Sequence, residues 1–306
     1  MSAVRRRSVV IDTDPGIDDA IALLWACGSD ALDIRAVTTV AGNVKLGTVT
    51  QNALDLLDFA GHRPCVYAGA GRPLVRAPRA ETRVHGKGGL GGVKLPPARA
   101  SVWSMPAVKA LTKMLERSDP QTLDLLMLGP MTNLALLLRE APQAAARLGR
   151  VIAMGGAIDA PGNVPVGTEG AQAEFNFSHD PEAAAAVFRA VSRTELDLTI
   201  IPLDCTRQLR ATADWARGLT GKRGKMAGLL IGAYFDATSG AETRPLHDPC
   251  VPLFAVMPEL FEIETRHLTI DTGERPGMVI DGSHAVKVAM AVDAEAARLF
   301  LAQGLA

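Results

Sequence analysis

Four aspartates crowd into one short stretch near the start of the chain, "VVIDTDPGIDDA", which runs from Val9 to Ala20. They are Asp12, Asp14, Asp18 and Asp19, and no Lys or Arg lies among them. Like charges this close raise each other's pKa values, and the carboxylates stay ionised only if hydrogen bonds or an opposite charge offset the repulsion. The stretch therefore indicates a compensating positive charge from a distant side chain, a helix N-terminus or a bound cation.

A helix that begins near Gly16 explains part of this cluster. Asp14 would then be the N-cap, and Asp18 and Asp19 would lie in the first turn, where the helix dipole favours negative charge. Capping does not explain why Asp12 and Asp14 stand one residue apart directly after an apolar run. A divalent cation held by oxygen ligands accounts for all four acids together, and we favour that hypothesis.

The available ligand types favour calcium over zinc. Calcium takes about 6–8 oxygen ligands, which include carboxylates, backbone carbonyls and waters, and neither Cys nor His lies in the stretch. An EF-hand loop does not fit, because Gly16 stands where a third ligand is required and Asp19 breaks the remaining spacing. The sequence thus predicts a calcium site outside the EF-hand class.

An aspartate nucleophile is the second hypothesis for this stretch, since a strand that ends in Asp-x-Asp also opens haloacid-dehalogenase-like phosphatases. That family continues with Thr or Val two residues on, whereas Pro15 and Gly16 follow Asp14 here. The paired acids Asp18 and Asp19 also follow within five residues of Asp14, whereas in that family paired acids stand near the end of the sheet. The phosphatase is therefore kept only as an alternative.

Short apolar runs and longer helical patterns alternate along the first 204 residues. The apolar runs predict buried strands at 8–12, 32–40, 64–69, 123–128, 150–156 and 196–204. Helical spacing and composition predict helices at 17–27, 48–60, 106–117, 132–140 and 180–191. This alternation predicts an α/β fold, a single large domain over residues 1–306 with a mostly parallel, Rossmann-like central sheet flanked by helices.

Residues from about 203 to 306 are less regular and are expected to cap and extend the same sheet. They contain helix candidates at 225–237, 250–257 and 293–303 and an extended pair at 261–271 and 277–281. In open α/β sheets, ligands bind outside the carboxyl ends of the strands. Those ends read "DTDPGIDD", "AGN", "GPMTN" and "GGAIDAPGN", so oxygen and amide groups are predicted to converge on one edge.

Composition and charge bear on which partners the protein binds and on its cellular location. The chain has 48% hydrophobic residues and a net charge of −1, which gives no electrostatic reason to expect nucleic acid or a membrane surface. The arginines 5–7 resemble the start of a signal peptide, but Asp12 arrives before an apolar segment of useful length. A cytoplasmic protein is predicted.

The cysteines lack the spacing of zinc or redox sites and are expected to pack as small buried residues: Cys27, Cys65, Cys205 and Cys250.

Several separated motifs in a fixed order resemble the inosine-uridine type nucleoside hydrolases. After "DTDPGIDDA" come "TVAGN" (39–43), "VHGKGGLGG" (84–92), "LGPMTNLAL" (128–136), "MGGA" (154–157), "AEFN" (173–176) and "HDP" (247–249). The resemblance implies hydrolysis of the N-glycosidic bond of ribonucleosides to ribose and a free purine or pyrimidine base, with a tightly held Ca2+. It also implies the nucleoside hydrolase fold, a small-molecule nucleoside as the partner, and assembly into dimers or tetramers.

The resemblance also assigns roles by motif position. Asp14 is identified as the general base that activates the water, and His247 as the acid toward the leaving base. Metal ligands are expected at Asp14, Asp19, Asp248 and the backbone carbonyl of Leu128. Ribose contacts are expected at Asp18, Asn43, Glu174 and Asn176, with His85 and Asn163 near the 5′ end. Asp12 is expected to orient its neighbours from behind the ligands.

Two of these segments carry further structural expectations. Glu174 and Asn176 alternate as strand neighbours would, which places them on the same side. The glycines after His85 match dinucleotide spacing, but no good strand precedes them and no helix can follow, so we interpret 84–92 as a mobile loop over the site.

Base preference has two conflicting indications. The segment 162–174 is long, as in purine-preferring members, which stack the base between tryptophans and lack a His beside the late aspartate. Here His247 is present, and Trp25, Trp103 and Trp215 fall outside the motifs. A catalytically silent nucleoside-binding protein remains the alternative from a different functional class.

Overall fold

The structure, a computed structural model, describes residues 6–78, 82–167, 170–194, 196–237 and 242–306. The predicted unit 1–306, the segment 162–174 and the N-terminal arginines each include residues outside these ranges. Every residue assigned a role in the site lies within them.

Thirteen strands are present in the described part of the chain. In chain order they are β1 (Arg7–Thr13), β2 (Leu32–Thr39), β3 (Cys65–Ala68), β4 (Leu123–Met127), β5 (Val151–Met154), β6 (Val164–Pro165), β7 (Gln172–Ala173), β8 (Leu198–Ile201), β9 (Arg210–Thr212), β10 (Thr243–Pro245), β11 (Phe261–Ile270), β12 (Val279–Asp281) and β13 (His284–Val292). Nine of them form the central sheet, and two short pairs, β9 with β10 and β6 with β7, lie outside it.

Thirteen α-helical segments connect and flank the strands. They are α1 (Ile17–Gly28), α2 (Leu46–Ala60), α3 (Thr82–His85), α4 (Ala107–Arg117), α5 (Thr132–Glu140), α6 (Pro142–Ala145), α7 (Phe175–His179), α8 (Pro181–Thr194), α9 (Leu203–Thr206), α10 (Ala213–Gly218), α11 (Gly221–Ala237), α12 (Cys250–Val256) and α13 (Ala294–Leu305). A 3-10 turn covers Pro258–Leu260. Among the described helices, none has the length and apolar character needed to cross a bilayer.

The central sheet is mostly parallel, as predicted. Its spatial order is β12-β11-β13-β8-β5-β4-β1-β2-β3, and every pair from β13 to β3 is parallel. At one edge, the pairs β12–β11 and β11–β13 are antiparallel, so within this sheet β11 alone runs opposite to the other strands. The C-terminal third therefore extends the same sheet, which confirms that expectation.

Two details of the predicted elements were wrong. No strand was predicted at His284–Val292, yet β13 joins β11 to the parallel part of the sheet. Lys287 interrupts the strand early, but the apolar run VAMAV at 288–292 is a strand signal that the prediction overlooked. The strand predicted at 196–204 ends at Ile201, because Pro202 is the N-cap of the short helix α9.

Apolar layers cover both faces of the sheet. Side chains alternate between faces along a strand, so Ile11 and Leu126 join the cluster under α1, α2 and α11, while Val10 and Leu125 join the cluster under α4, α5 and α8. These four side chains are at most 1% exposed. Burying one such side chain stabilises the fold by about 1.5–3 kcal/mol.

The strand order reverses between β1 and β4. From β1 the chain moves outward to β2 and β3, and it then returns to the other side of β1 at β4. A crevice opens at such a switch point, outside the carboxyl ends of the strands. The residues after β1, β2, β4 and β5 all reach this crevice, which is the location predicted for the polar groups.

Candidate active site

The loop between β1 and α1 builds the acidic floor of the crevice. The N-cap of α1 is Gly16, and Asp18 and Asp19 occupy the first helical turn, as predicted. Asp14 is not the N-cap, which corrects that part of the capping explanation. The Asp19 carboxylate accepts hydrogen bonds from Thr13 Oγ1 at 2.6 Å and from the Gly16 backbone N–H at 3.0 Å.

Asp14 is held in one orientation, and one of its two carboxylate oxygens accepts no hydrogen bond. Its Oδ2 accepts a hydrogen bond from the backbone N–H of Asn43 at 2.6 Å. Its Oδ1 is buried and has no hydrogen-bond partner among the described residues. A Cβ at Gly42 would stand 2.1 Å from Oδ2, and one at Gly129 would stand 2.3 Å from Oδ1. Only glycine leaves room for the carboxylate at these two positions.

Asn43 forms hydrogen bonds to both Asp14 and Asp19. Besides its backbone bond to Asp14, its side-chain Nδ2 donates to Asp19 Oδ2 at 3.1 Å and to the Asp14 backbone carbonyl at 3.2 Å. Asn43 was predicted to bind ribose, and it does line the cavity. The structure adds a second task, because the same side chain fixes the relative positions of two carboxylates.

Asp12 points away from the cavity wall. It is fully buried, and its Oδ2 accepts hydrogen bonds from Thr38 Oγ1 and from Asn133 Nδ2, the latter at 2.7 Å. This position suits a group that supports the floor from behind. It does not suit a phosphatase nucleophile, since the carboxylate is tied to Thr38 and Asn133 instead of to a substrate.

Burial and mutual repulsion raise the pKa values of acids in and around the floor. Burial raises the pKa of Asp12 and of Asp18 to about 7, with the charge of Asp19 adding to the shift at Asp18. Burial, followed by neighbouring carboxylates, raises the pKa of Asp14 and of Asp248 well above their usual range. Such shifts mean that ionised acids are costly here without a positive partner.

The donor set fits a hard cation. Asp18, Asp19 and Asp248 are buried, and each offers a carboxylate oxygen within 4.8 Å of the others. This trio includes Asp18, which was predicted to bind ribose, and leaves out Asp14. The spare Oδ1 of Asp14 is a further oxygen without a hydrogen-bond partner. An all-oxygen set of buried carboxylates is the type that Ca2+ prefers.

The backbone carbonyl of Leu128 is oriented by Asn176. The Nδ2 of Asn176 donates to Leu128 O at 2.8 Å and to Met154 O at 3.2 Å, so one amide links the ends of β4 and β5. A carbonyl oxygen has two lone pairs, and Leu128 can therefore still offer one to a cation as predicted.

The expectation that Glu174 and Asn176 are strand neighbours was wrong. The strand β7 ends at Ala173, Glu174 is the N-cap of α7, and Asn176 lies in that helix. The Glu174 carboxylate accepts from the backbone N–H groups of Asn176, Phe177 and Gly156 at 2.8–3.1 Å. Burial nevertheless raises the pKa of Glu174 to about 7. Both side chains still reach the cavity.

A cavity of about 300 Å3 lies above this floor. The predicted site residues that line it are Asp18, Asn43, His85, Leu128, Asn163, Glu174, Asn176, His247 and Asp248. Asp12, Asp14 and Asp19 are fully buried and are not among its lining residues. The structure thus brings all twelve assigned residues to one place from segments throughout the chain.

The two histidines of the wall are held by different partners. His85 ends the short helix α3 and is buried, and its Nδ1 accepts from the backbone N–H of Ile17 at 3.1 Å. His247 Nδ1 lies 2.8 Å from Thr206 Oγ1. Burial, followed by the positive charge of Arg207, lowers the pKa of His247 from 6.5 to about 3. His247 is therefore a neutral imidazole near pH 7.

The segment after His85 does not build a dinucleotide site, in agreement with the sequence interpretation. Turns follow α3, and Asn52 Nδ2 donates to the carbonyls of Gly88 and Pro15 at 2.8 and 3.1 Å. These bonds join the glycine segment to the loop after β1. Mobility of the segment stays a prediction.

Several residues of the wall were missed by motif reasoning. They are Arg83, Val84, Met154, Val164, Phe175, Arg207 and Pro245, and Tyr234 also lines the wall although packing was favoured for it. Arg207 follows the carboxyl end of β8, so the rule about strand ends could have found it. None of the tryptophans Trp25, Trp103 and Trp215 lines the cavity. The tryptophan stack expected for purine preference is therefore not part of this wall.

Comparison with known proteins gives a consistent result. A family model described as inosine-uridine preferring nucleoside hydrolase matches residues 9–298. The non-specific ribonucleoside hydrolase RihC of Escherichia coli O139:H28 is 36% identical over 312 aligned positions, which cover 98% of this chain and 99% of the relative. An uncharacterized protein of Schizosaccharomyces pombe is 35% identical over 86% of this chain and 84% of its own length.

Solved structures agree with these relatives over nearly the whole chain. A plant nucleoside hydrolase, PpNRh1, superposes with a TM-score of 0.89 at 31% identity, and 98% of each chain is covered. A purine-preferring ribonucleoside hydrolase from Gardnerella vaginalis superposes with a TM-score of 0.88 at 28% identity, again with 98% of each chain covered.

Proposed function

The chain belongs to the inosine-uridine preferring nucleoside hydrolase family, and from this premise we propose a metal-assisted mechanism for the cleavage of ribonucleosides to ribose and free base. The observation that carries the proposal is the buried group of carboxylates under the cavity, whose negative charge matches a cationic sugar above and a cation among them. The phosphatase alternative is dropped, because the family match covers residues 9–298 and Asp12 does not face the cavity.

We propose Ca2+ as the ion. Asp18, Asp19 and Asp248 would hold it, with the spare Oδ1 of Asp14 and the carbonyl of Leu128 as further oxygen ligands. When bound, the ion would supply positive charge to the carboxylates, polarise the attacking water and bind ribose hydroxyls. Magnesium fits less well, because it demands near-octahedral geometry and gives up water reluctantly.

Asp14 is proposed as the general base. The reaction breaks the bond between C1′ of ribose and a nitrogen of the base, and the bonding electron pair leaves with the base. A water oxygen forms the new bond to C1′, and Asp14 accepts one water proton. The Asn43 N–H and the two glycines hold Asp14 in one orientation, so this proton transfer needs no rearrangement of the carboxylate.

The ribose end of the cavity is proposed to lie over the acids. Positive charge develops on the sugar as the bond breaks, and Asp18, Glu174 and Asp248 line that end. Asn43 and Asn176 would contact the sugar hydroxyls, while Asn163 and His85 would contact the 5′ end. All of these roles carry over from the motif positions, and each side chain reaches the cavity.

His247 is proposed to serve the leaving base as a neutral donor. Because its pKa is lowered to about 3, the imidazole does not carry a second proton near pH 7. If the hydroxyl of Thr206 donates to Nδ1, the single ring proton resides on Nε2, which can donate to a nitrogen or oxygen of the departing base. This refines the general acid predicted from the motif.

One experiment tests the proposed function directly. Purified protein is incubated with inosine, uridine, adenosine, guanosine and cytidine, and free ribose is measured with metal-replete, chelated and Ca2+-restored or Mg2+-restored enzyme. We expect ribose release that chelation abolishes and Ca2+ restores better than Mg2+. Absence of ribose release from all five nucleosides would contradict the proposed function, and nucleoside binding without release would then indicate the silent binding protein. The same panel decides base preference. Dimer or tetramer assembly is proposed from the family resemblance, and a cytoplasmic location from the composition of the chain.

A further inference from the structure

The short segment from Asp204 to Arg207 fastens two parts of the cavity wall together. The Asp204 carboxylate accepts hydrogen bonds from the backbone N–H groups of Ile158, Asp159 and Ala160 at 2.9, 2.8 and 2.7 Å. These three residues belong to the loop that leaves β5 and leads to Asn163. A single carboxylate thus shapes the loop from outside the cavity.

Arg207 binds the same loop but also faces the cavity. Its Nη1 donates to the Pro161 carbonyl at 2.7 Å, and its Nη2 donates to the Gly162 carbonyl at 3.1 Å. These two bonds use two of the five guanidinium N–H groups. The side chain is half-buried and lines the cavity, so its charge is fixed in position beside the substrate space.

The guanidinium lies on the wall that carries His247. Thr206, the residue before Arg207, contacts His247 Nδ1 over 2.8 Å, and His247 and Arg207 both line the cavity. The acids Asp18 and Asp248 mark the sugar end. If the sugar lies over those acids, as proposed above, the base departs toward the wall of His247 and Arg207 and takes the bonding electron pair with it.

We propose that Arg207 is a catalytic residue that contacts the departing base and stabilises the negative charge that develops on it. The inference rests on the proposed function. Arg207 transfers no proton, because its guanidinium stays charged at every working pH. The base leaves with the electron pair of the broken C1′–N bond and takes its proton from water afterwards, while the neutral His247 donates only a hydrogen bond to it.

The test compares two leaving groups in variants of Arg207. For Arg207→Gln we expect kcat on inosine or uridine to fall by about 10²-fold, the loss typical of one preorganised charge-stabilising donor. On p-nitrophenyl riboside, whose leaving group needs little help, the same variant should lose less than about 5-fold, because the stabilised charge matters less there. KM should change less than kcat, and the selective loss should stay constant from about pH 6 to pH 9 because Arg does not titrate there.

Asp204→Asn provides the matched control for a purely structural role. Asn cannot accept all three loop N–H groups as the carboxylate does, so the loop loosens while the Arg207 charge remains. We expect this variant to slow both kinds of substrate by the same factor. Arg207→Lys keeps a charge but loses the planar fork, and its loss should again be confined to nucleosides and be smaller than that of Arg207→Gln.

Two outcomes overturn the inference. Equal losses on nucleosides and on p-nitrophenyl riboside in the Arg207 variants would assign Arg207 to loop support alone, as would a change confined to KM. Should Arg207→Gln fail to fold, Arg207→Lys is compared with Asp204→Asn instead. A loss confined to nucleosides in Arg207→Lys supports the inference, and an equal loss on both kinds of substrate overturns it. Failure of the proposed function is seen separately, because the unmodified enzyme would then release no ribose from any nucleoside.

Discussion

The backbone N–H of Asn43 donates to Oδ2 of Asp14 over 2.6 Å, while the other carboxylate oxygen of Asp14 has no hydrogen-bond partner in the described part of the chain. A residue from the end of β2 therefore orients an acid from the end of β1. This arrangement leaves Oδ1 of Asp14, with its two lone pairs, for the ion and for the water proton, as the proposed mechanism requires.

Asp14→Asn should abolish turnover without unfolding the protein. A general base contributes about 10²–10⁴-fold, so kcat should fall by at least about 10²-fold on every nucleoside. Asn keeps an oxygen that can accept from the Asn43 N–H, so circular dichroism and the melting temperature should stay close to those of the parent. A nearly unchanged kcat would remove Asp14 from the role of base.

Gly42→Ala tests the close packing around Asp14. The new Cβ would stand 2.1 Å from Asp14 Oδ2, so the carboxylate must move and kcat should fall by at least about 10-fold, since a displacement of about 1 Å can cost far more. Gly47→Ala is the control, because nothing lies within 4 Å of its Cβ position in α2. That variant should keep its activity and gain up to about 1 kcal/mol of helix stability. Equal behaviour of the two variants would contradict the prediction.

His247→Ala should slow substrates according to their leaving group. Nucleosides, whose bases leave poorly, should lose about 10²-fold or more in kcat, while p-nitrophenyl riboside should be nearly spared, because a donor helps only where the leaving group needs it. Steady-state kinetics on both substrates checks this. If both rates fell by the same factor, His247 would not act on the leaving group.

Asp248→Asn should weaken metal binding. Loss of one charged ligand lowers Ca2+ affinity, so the rise in melting temperature on adding Ca2+ should shrink. For the parent protein, a free ion concentration of about 100 times Kd stabilises the fold by about 2.7 kcal/mol. Asp214→Asn is the control, since the Asp214 side chain is 90% exposed and pairs only at the surface. An equal Ca2+ response in both variants would exclude Asp248 as a ligand.

The metal-free protein should lose stability as the pH rises from about 4 to about 7. Burial raises the pKa of Asp12, Asp18 and Glu174 to about 7 in the folded state, so between these values the folded chain binds more protons than the unfolded chain. The free energy of unfolding then falls with rising pH. Melting temperatures of chelated protein at pH 5, 6, 7 and 8 test this, and added Ca2+ should stabilise most at the upper end. A melting temperature of chelated protein that rises over this range would be the opposite result.

Patterns among residues that are neighbours in sequence were enough to predict most of the fold and the residues that make up the site. The apolar run before Asp12 and the helical spacing after Gly16 come from neighbouring residues, so the strand, the turn and the helix could be predicted from the sequence. The alternation of such units then predicts the parallel sheet, and the sheet brings its carboxyl ends to one edge. The crowded acids were visible because they are close in sequence.

Tertiary contacts decided what each polar group does. Glu174 was assigned to a strand, but β7 has two residues and α7 has five, too few for either periodicity to show. Asn133 supports Asp12 across 121 positions of sequence, and Thr206 meets His247 across 41. Arg207 lies in no recognised motif, and only the folded chain places it beside His247. The sequence alone determined most of the large elements and the polar residues that follow β1, β2, β4 and β5. Only the fold selected the partners of those residues, because the hydrogen bonds that orient the site join segments whose separation leaves no local pattern.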